Sequence, residues 1–151
     1  MTRFWNALLL AGLLGTAPSP TRAGDGACVQ LTISGVRSAD GVVQIALFAD
    51  EESYEKSTEA AAQVAPPAAV GTVEVPMCGL APGRYALSVF HDENANRRLD
   101  TGRLGIPKEG YGFSQGARGR TGKPSFDKIA FDLAAGGTHA ETIKLLYWSK
   151  R

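Results

Sequence analysis

Along most of the chain, apolar and polar residues alternate with a period of two. "CVQLTISGV" places Val29, Leu31 and Ile33 on one face, and "GVVQIALFAD" does the same with Val43, Ile45 and Leu47. "VGTVEVPM" aligns Val73, Val75 and Met77, and "RYALSVFHD" aligns Tyr85, Leu87 and Val89. "DKIAFDL" aligns Ile129, Phe131 and Leu133, and "AETIKLLYW" aligns Ile143, Leu145 and Tyr147. Successive side chains of a strand point to opposite faces, so these six segments predict strands with one buried and one solvated face. Such strands form antiparallel sheets packed face to face, and the predicted fold is an all-β antiparallel sandwich. The Asp-Gly pair in "RSADG" carries the signal of a hairpin turn between the first two strands. "LAPG" and "AAGGT" supply turns before the fourth and sixth.

Two segments break the alternation. "EESYEKSTEAAAQ" has acids early and helix-forming residues after them, which predicts a short helical excursion ended by Pro66 and Pro67. Thr101 to Phe126 holds seven glycines and has no period. A loop of this length inside a compact domain is functional or disordered. Its Ile106, Tyr111, Phe113 and Phe126 let it pack on itself, so an ordered Ω-like loop covering one end of the sandwich is expected.

The first 23 residues have the features of a secretory leader: basic Arg3, an apolar stretch from Phe4 to Gly15, and small residues up to Ala23. The apolar stretch is shorter than the roughly 20 residues a membrane span needs. The expected domain is therefore a single sandwich over 24–151, periplasmic or secreted after cleavage near Ala23, with no transmembrane segment. Cys28 and Cys78 are an even pair in an oxidising compartment, which predicts a disulfide. Closing a loop of about 50 residues would stabilise the fold by about 4 kcal/mol on chain-entropy grounds. Two free thiols are the alternative.

Charge is unevenly placed. Asp50 to Glu59 carries five acids and one lysine, whereas Arg97 to Lys123 carries seven basic residues and two acids. This split is not the footprint of a nucleic-acid binder. The basic stretch suits an anionic glycan or lipid head group, but a solvated loop is the preferred reading.

The candidate chemistry lies in "HDENANRRLD", His91 to Asp100. Asp92, Asn94, Asn96 and Asp100 stand at positions 1, 3, 5 and 9 of a loop, with the Arg98 carbonyl at position 7. Alternate oxygen-bearing side chains followed by a carbonyl is how a short loop surrounds Ca2+, which takes six to eight oxygens. The pattern departs from an EF-hand at Arg97, in place of glycine, and at Arg103, in place of the bidentate glutamate. A polar loop built on Asx turns explains the same residues. Both readings stand open at this point, and any Ca2+ site here is expected to be weak. His91, Lys108, Glu109, Tyr111 and Phe113 are the candidate binding loop around it.

"GFSQG" matches G-x-S-x-G at Ser114, with Asp127 or Asp132 and then His139 downstream, the order of a serine hydrolase. The elbow needs a strand before the serine and a helix after it. "EGYGF" does not read as a buried strand nor "ARGRTGKP" as a helix, so a non-enzymatic module is the preferred reading. "GRTGKP" lacks the first glycine and the Ser/Thr of a phosphate loop. Two histidines without a cluster do not support zinc. His91 continues the Tyr85–Val89 face, which suggests a histidine at the core edge. Core packing accounts for Tyr147 and Trp148.

The stretch from Gly83 to Phe126 also resembles domain-of-unknown-function family 2141, a group of small exported bacterial proteins. The residues that carry the resemblance are Gly83, Tyr85 and Ala86; His91, Asp92, Asn94 and Asn96; Leu99, Asp100 and Thr101; Gly105, Pro107 and Glu109 through Ser114; and Ser125 with Phe126. It extends through the flanking strands. Arg97 departs from it, since such loops commonly carry glycine there. The resemblance implies export and a sandwich of prealbumin-like or carboxypeptidase-regulatory-like form, and it implies no activity.

Overall fold

The computed structural model describes residues 26–119 and 122–148. The leader expected over 1–23 lies outside the described residues. Eight strands are formed: β1 (Ala27–Val36), β2 (Val42–Phe48), β3 (Ala62–Val64), β4 (Gly71–Leu80), β5 (Gly83–Asp92), β6 (Tyr111–Phe113), β7 (Ala130–Leu133) and β8 (Thr138–Lys144). They build a three-stranded sheet, β4-β1-β8, and a five-stranded sheet, β3-β2-β5-β6 with β7 also on β5. The expected sandwich is the observed architecture. One pair runs parallel: β8 lies beside β1, with Leu31 opposite Glu141 and Ile33 opposite Ile143.

The inward face is the one the alternation marked, except at Ile129, which lies in a short helix and packs in a separate small cluster. Val29, Leu31 and Ile33 meet Val43, Ile45, Leu47, Leu87 and Val89, all within 2% of complete burial. Val75, Met77, Phe131, Leu133, Ile143 and Leu145 complete the same core.

The turns behave differently from their local signals. The Asp-Gly turn does not make a hairpin, because β1 and β2 belong to opposite sheets. Gly41 crosses between the layers with φ +67°, and a Cβ there would stand 1.9 Å from the Asp92 carbonyl oxygen. The glycine is thus required by a long-range contact, not by a two-residue turn. "LAPG" and "AAGGT" likewise carry the chain from one sheet to the other. Cys28 and Cys78 form a disulfide between the neighbouring strands β1 and β4.

The excursion forms a helix only over its first turns, α1 (Glu51–Lys56). Asp50 caps it by accepting the Ser53 N–H at 2.8 Å, and Ser57 ends it in a left-handed conformation. The helix therefore stops well before Pro66, and β3 occupies part of the stretch expected to be helical. A second short helix, α2 (Phe126–Ile129), precedes β7. The two helices cover one end of the outer face of the five-stranded sheet. Phe48, Tyr54, Ala86, Phe126 and Ile129 form a small second core there. The other end of that face carries the candidate site.

Candidate functional site

Strand β5 alternates, so His91 and Asp92 at its end point to opposite sides of the sheet. Both are fully buried. His91 faces inward, with Nδ1 2.8 Å from the Tyr147 hydroxyl and Nε2 2.9 Å from the Asp40 carbonyl oxygen. It is the core-edge histidine expected from the sequence. The Arg37 guanidinium lies 4.4 Å from the Tyr147 ring centre and makes paired bonds to Glu93 at 2.7 and 2.6 Å. The hydrogen bond to Glu93 is the main cause that raises the Arg37 pKa above its ordinary value. Burial raises the Tyr147 phenol.

Asp92 faces outward and organises the loop. One carboxylate oxygen accepts the Asn96 N–H at 3.0 Å, and the other accepts the Arg97 N–H at 2.7 Å and the Gln44 amide at 3.2 Å. Asn94 Oδ1 accepts the Asn96 N–H, and Asn96 Oδ1 accepts the Arg98 N–H. These are nested Asx turns, the alternative open in the sequence. The amide groups of Asn94 and Asn96 then donate to the two oxygens of Asp100 at 2.8 and 3.1 Å. The structure thus brings Asn94, Asn96 and Asp100 together, with Asp92 committed to backbone amides beneath them. Arg98 is exposed, and its N–H is bonded within the loop. Among the described residues no group of three or more His, Cys, Asp or Glu side chains converges as a metal site.

Arg97 takes φ +64°, in the left-handed region. Only glycine adopts this region without steric cost.

Glu109 joins this loop to the Gly-rich segment. It is 4% exposed and accepts the Glu93 N–H at 3.0 Å and the Asp100 N–H at 2.9 Å. The chain from Asp100 to Lys108 then doubles back as a strap. Lys108 N–H donates to the Asp100 carbonyl, Gly102 N–H to the Ile106 carbonyl, and Thr101 bridges Pro107. Lys108 is exposed on this strap. Past Gly110 the chain forms β6, which corrects the expectation that "EGYGF" is no buried strand: Tyr111–Phe113 pairs with β5, and Gly112 is buried. Backbone pairing supplies the regularity there, since the tripeptide is too short to show a period.

Between strap and helices lies a groove of about 840 Å3. Strand register builds its floor. One row runs Gln63, Ala46, Ser88, Phe113 across four strands, and the next runs Gln44, Phe90, Tyr111. Phe48 lies at one end, and Leu104, Ile106 and Trp148 stand on the walls. Among the described residues, the charged ones on the lining are Arg97 and Lys123, both basic. Lys123 Nζ donates to the Tyr54 carbonyl and to Ser57 Oγ at the end of α1, and lies 3.8 Å from the Tyr54 ring centre. Burial lowers the Lys123 pKa from its ordinary value.

Of the expected binding loop, Tyr111 and Phe113 line the groove, whereas His91 and Glu109 support it from behind. Trp148 is not a core residue: it is 65% exposed on the groove wall. Ser88, Phe90 and Gln44 escaped the sequence reading because they sit on the face counted as solvated. The available signal was Phe48 and Phe90, large aromatics on the polar side of alternating strands.

The hydrolase constellation does not assemble. Ser114 is fully buried, accepts the Leu87 N–H and donates to the Ile129 carbonyl. His139 bonds Glu141 at 3.1 Å and stacks on Phe131. Asp127 pairs with Arg84, and Asp132 is exposed. No hydrogen bond links the serine to the histidine among the described residues, and a serine locked into backbone carbonyls is structural.

Residues 31–141 match the family model described as an uncharacterized protein conserved in bacteria, DUF2141. No curated protein and no solved structure matches the chain.

Proposed function

Because the chain belongs to the bacterial family DUF2141, whose description assigns no activity, we propose its function from the site itself: a non-enzymatic binding module that takes a small amphipathic anion in the groove on the outer sheet face. One observation carries this reading. The groove has the volume of a small-molecule site, an aromatic floor and, among the described residues, only basic side chains in its charged lining. Phe90, Tyr111 and Phe113 offer an apolar body to the ligand, and Arg97 offers a donor fork that matches a carboxylate or phosphate.

Laurate and dodecanol separate the anionic from the merely apolar ligand. Trp148 emission, blanked against Trp148→Phe, should change saturably with laurate and far less with the alcohol. Ser88→Phe, which fills the middle of the floor, should abolish the change. Equal responses to acid and alcohol would remove the anionic claim, and no response to either would remove the groove.

A second reading is a weak Ca2+ site at Asp92, Asn94, Asn96, the Arg98 carbonyl and Asp100. It is favoured by the convergence of both asparagine side chains on the Asp100 carboxylate. Both amides would have to turn their oxygens inward and give up backbone bonds, which keeps affinity low. Ligand that binds only the folded state raises stability by mass action. Melting temperatures that do not differ between millimolar Ca2+ and EDTA would eliminate this reading. Export to the periplasm or exterior belongs to the same proposal. It is supported by the disulfide, which persists in oxidising compartments.

A further inference from the structure

Leu104 tips the strap at 95% exposure, with φ +69°. A leucine in the left-handed region, wholly in water, gains nothing from the fold to offset its strain. Trp148, also largely exposed, stands on the rim of the same groove. The surroundings of the tip are basic. Arg97, Arg98, Arg103 and Lys108 are all exposed, and none has an ion-pair partner among the described residues. The Lys108 side chain passes close to Gly102. The acids nearby keep their charge but none is exposed as the four basic side chains are: Asp92 and Glu109 are buried on backbone amides, Glu93 is paired with Arg37, and Asp100 is half-buried against Asn94 and Asn96.

We infer that the strap docks on an anionic lipid surface, with Leu104 entering the interface and the four basic residues against the head-group phosphates. Basic residues next to an exposed apolar side chain match a surface that is negative outside and apolar within. A soluble polyanion would use the arginines and leave Leu104 without a role. The contact is peripheral and reversible, because a single leucine supplies little insertion. Docking does not require the groove to be filled, although it would set the groove mouth beside the head groups.

Co-sedimentation with phosphatidylcholine vesicles, with and without phosphatidylglycerol, tests the inference. Binding should require phosphatidylglycerol and weaken as salt is raised. Leu104→Ser removes no buried contact and should weaken binding roughly tenfold. Arg103→Glu combined with Lys108→Glu should weaken it further. Ser88→Phe should leave vesicle binding intact while abolishing the laurate response, so the two proposals fail separately. If Leu104→Ser binds vesicles as well as the parent, or if heparin binding is strong while vesicle binding is absent, the lipid surface is the wrong partner. No binding to phosphatidylglycerol vesicles at low salt would also overturn it.

Discussion

The carboxylate of Glu109 accepts the backbone N–H of Asp100 at 2.9 Å, and its other oxygen accepts that of Glu93 at 3.0 Å. A single buried side chain from the Gly-rich segment thereby fixes both ends of the Asn-rich loop. Replacing it with alanine would leave two donors unsatisfied, at about 1–3 kcal/mol each. Glu109→Ala should lower unfolding free energy by about 2–6 kcal/mol in urea titration. Glu109→Gln, which keeps one acceptor, should fall between. A loss under about 0.5 kcal/mol would show that water replaces the carboxylate.

Arg97 holds a left-handed conformation. Arg97→Gly should stabilise the fold by up to about 1 kcal/mol, the steric relief being partly offset by the greater freedom of glycine when unfolded. The same change should weaken laurate binding, because it removes a basic group from the groove. Opposite signs in the urea midpoint and the laurate titration are the expected pair. Destabilisation by the glycine would mean that the Arg97 side chain contributes contacts outweighing its strain.

Gly110 stands against Tyr147, and a Cβ there would come within 2.3 Å of the ring. Gly110→Ala must displace Tyr147 and with it the partner of His91. A cost of about 1–3 kcal/mol is expected for such overpacking. Calorimetry of the alanine variant gives the value, and Tyr147→Phe in the same background should recover little of it, since the clash is with ring carbons.

Tyr54 and Tyr147 both have folded pKa values raised by burial. The unfolded value is about 10. The neutral form is favoured in the folded state, so the stability these groups contribute is fully present below pH ~10 and is lost as pH rises through the folded values. Alkaline unfolding should therefore begin above pH ~10, with tyrosinate absorbance from these two rising together with loss of structure. Tyr54→Phe should move the alkaline midpoint upward, while lowering stability at neutral pH through loss of the bond to the Pro124 carbonyl. An unchanged midpoint would show that Tyr54 does not limit the transition.

The disulfide closes a loop spanning 50 residues. Replacing both cysteines with alanine should cost about 2–4 kcal/mol. The sheet pairing of β1 with β4 should survive, as amide exchange would report, since the core beneath it is complete without the sulfurs.

The sequence by itself determined which strand residues fill the core between the two sheets. Val29, Leu31, Ile33 and their counterparts on the other strands follow from a period of two, and that period is set by backbone geometry alone. It also determined the sandwich, the cysteine pair and the polar loop after β5. Three things were decided only by tertiary structure. The Asp-Gly turn crosses between layers, because hydrophobic faces on both strands need partners on the opposite sheet. The tripeptide Tyr111–Phe113 becomes a strand because β5 offers it unpaired backbone groups. The groove exists because strand register sets Ala46, Ser88 and Phe113 in one row while two short helices cover only part of the face. Register and coverage depend on contacts between residues far apart in the chain, and a local pattern of polar and apolar residues contains neither.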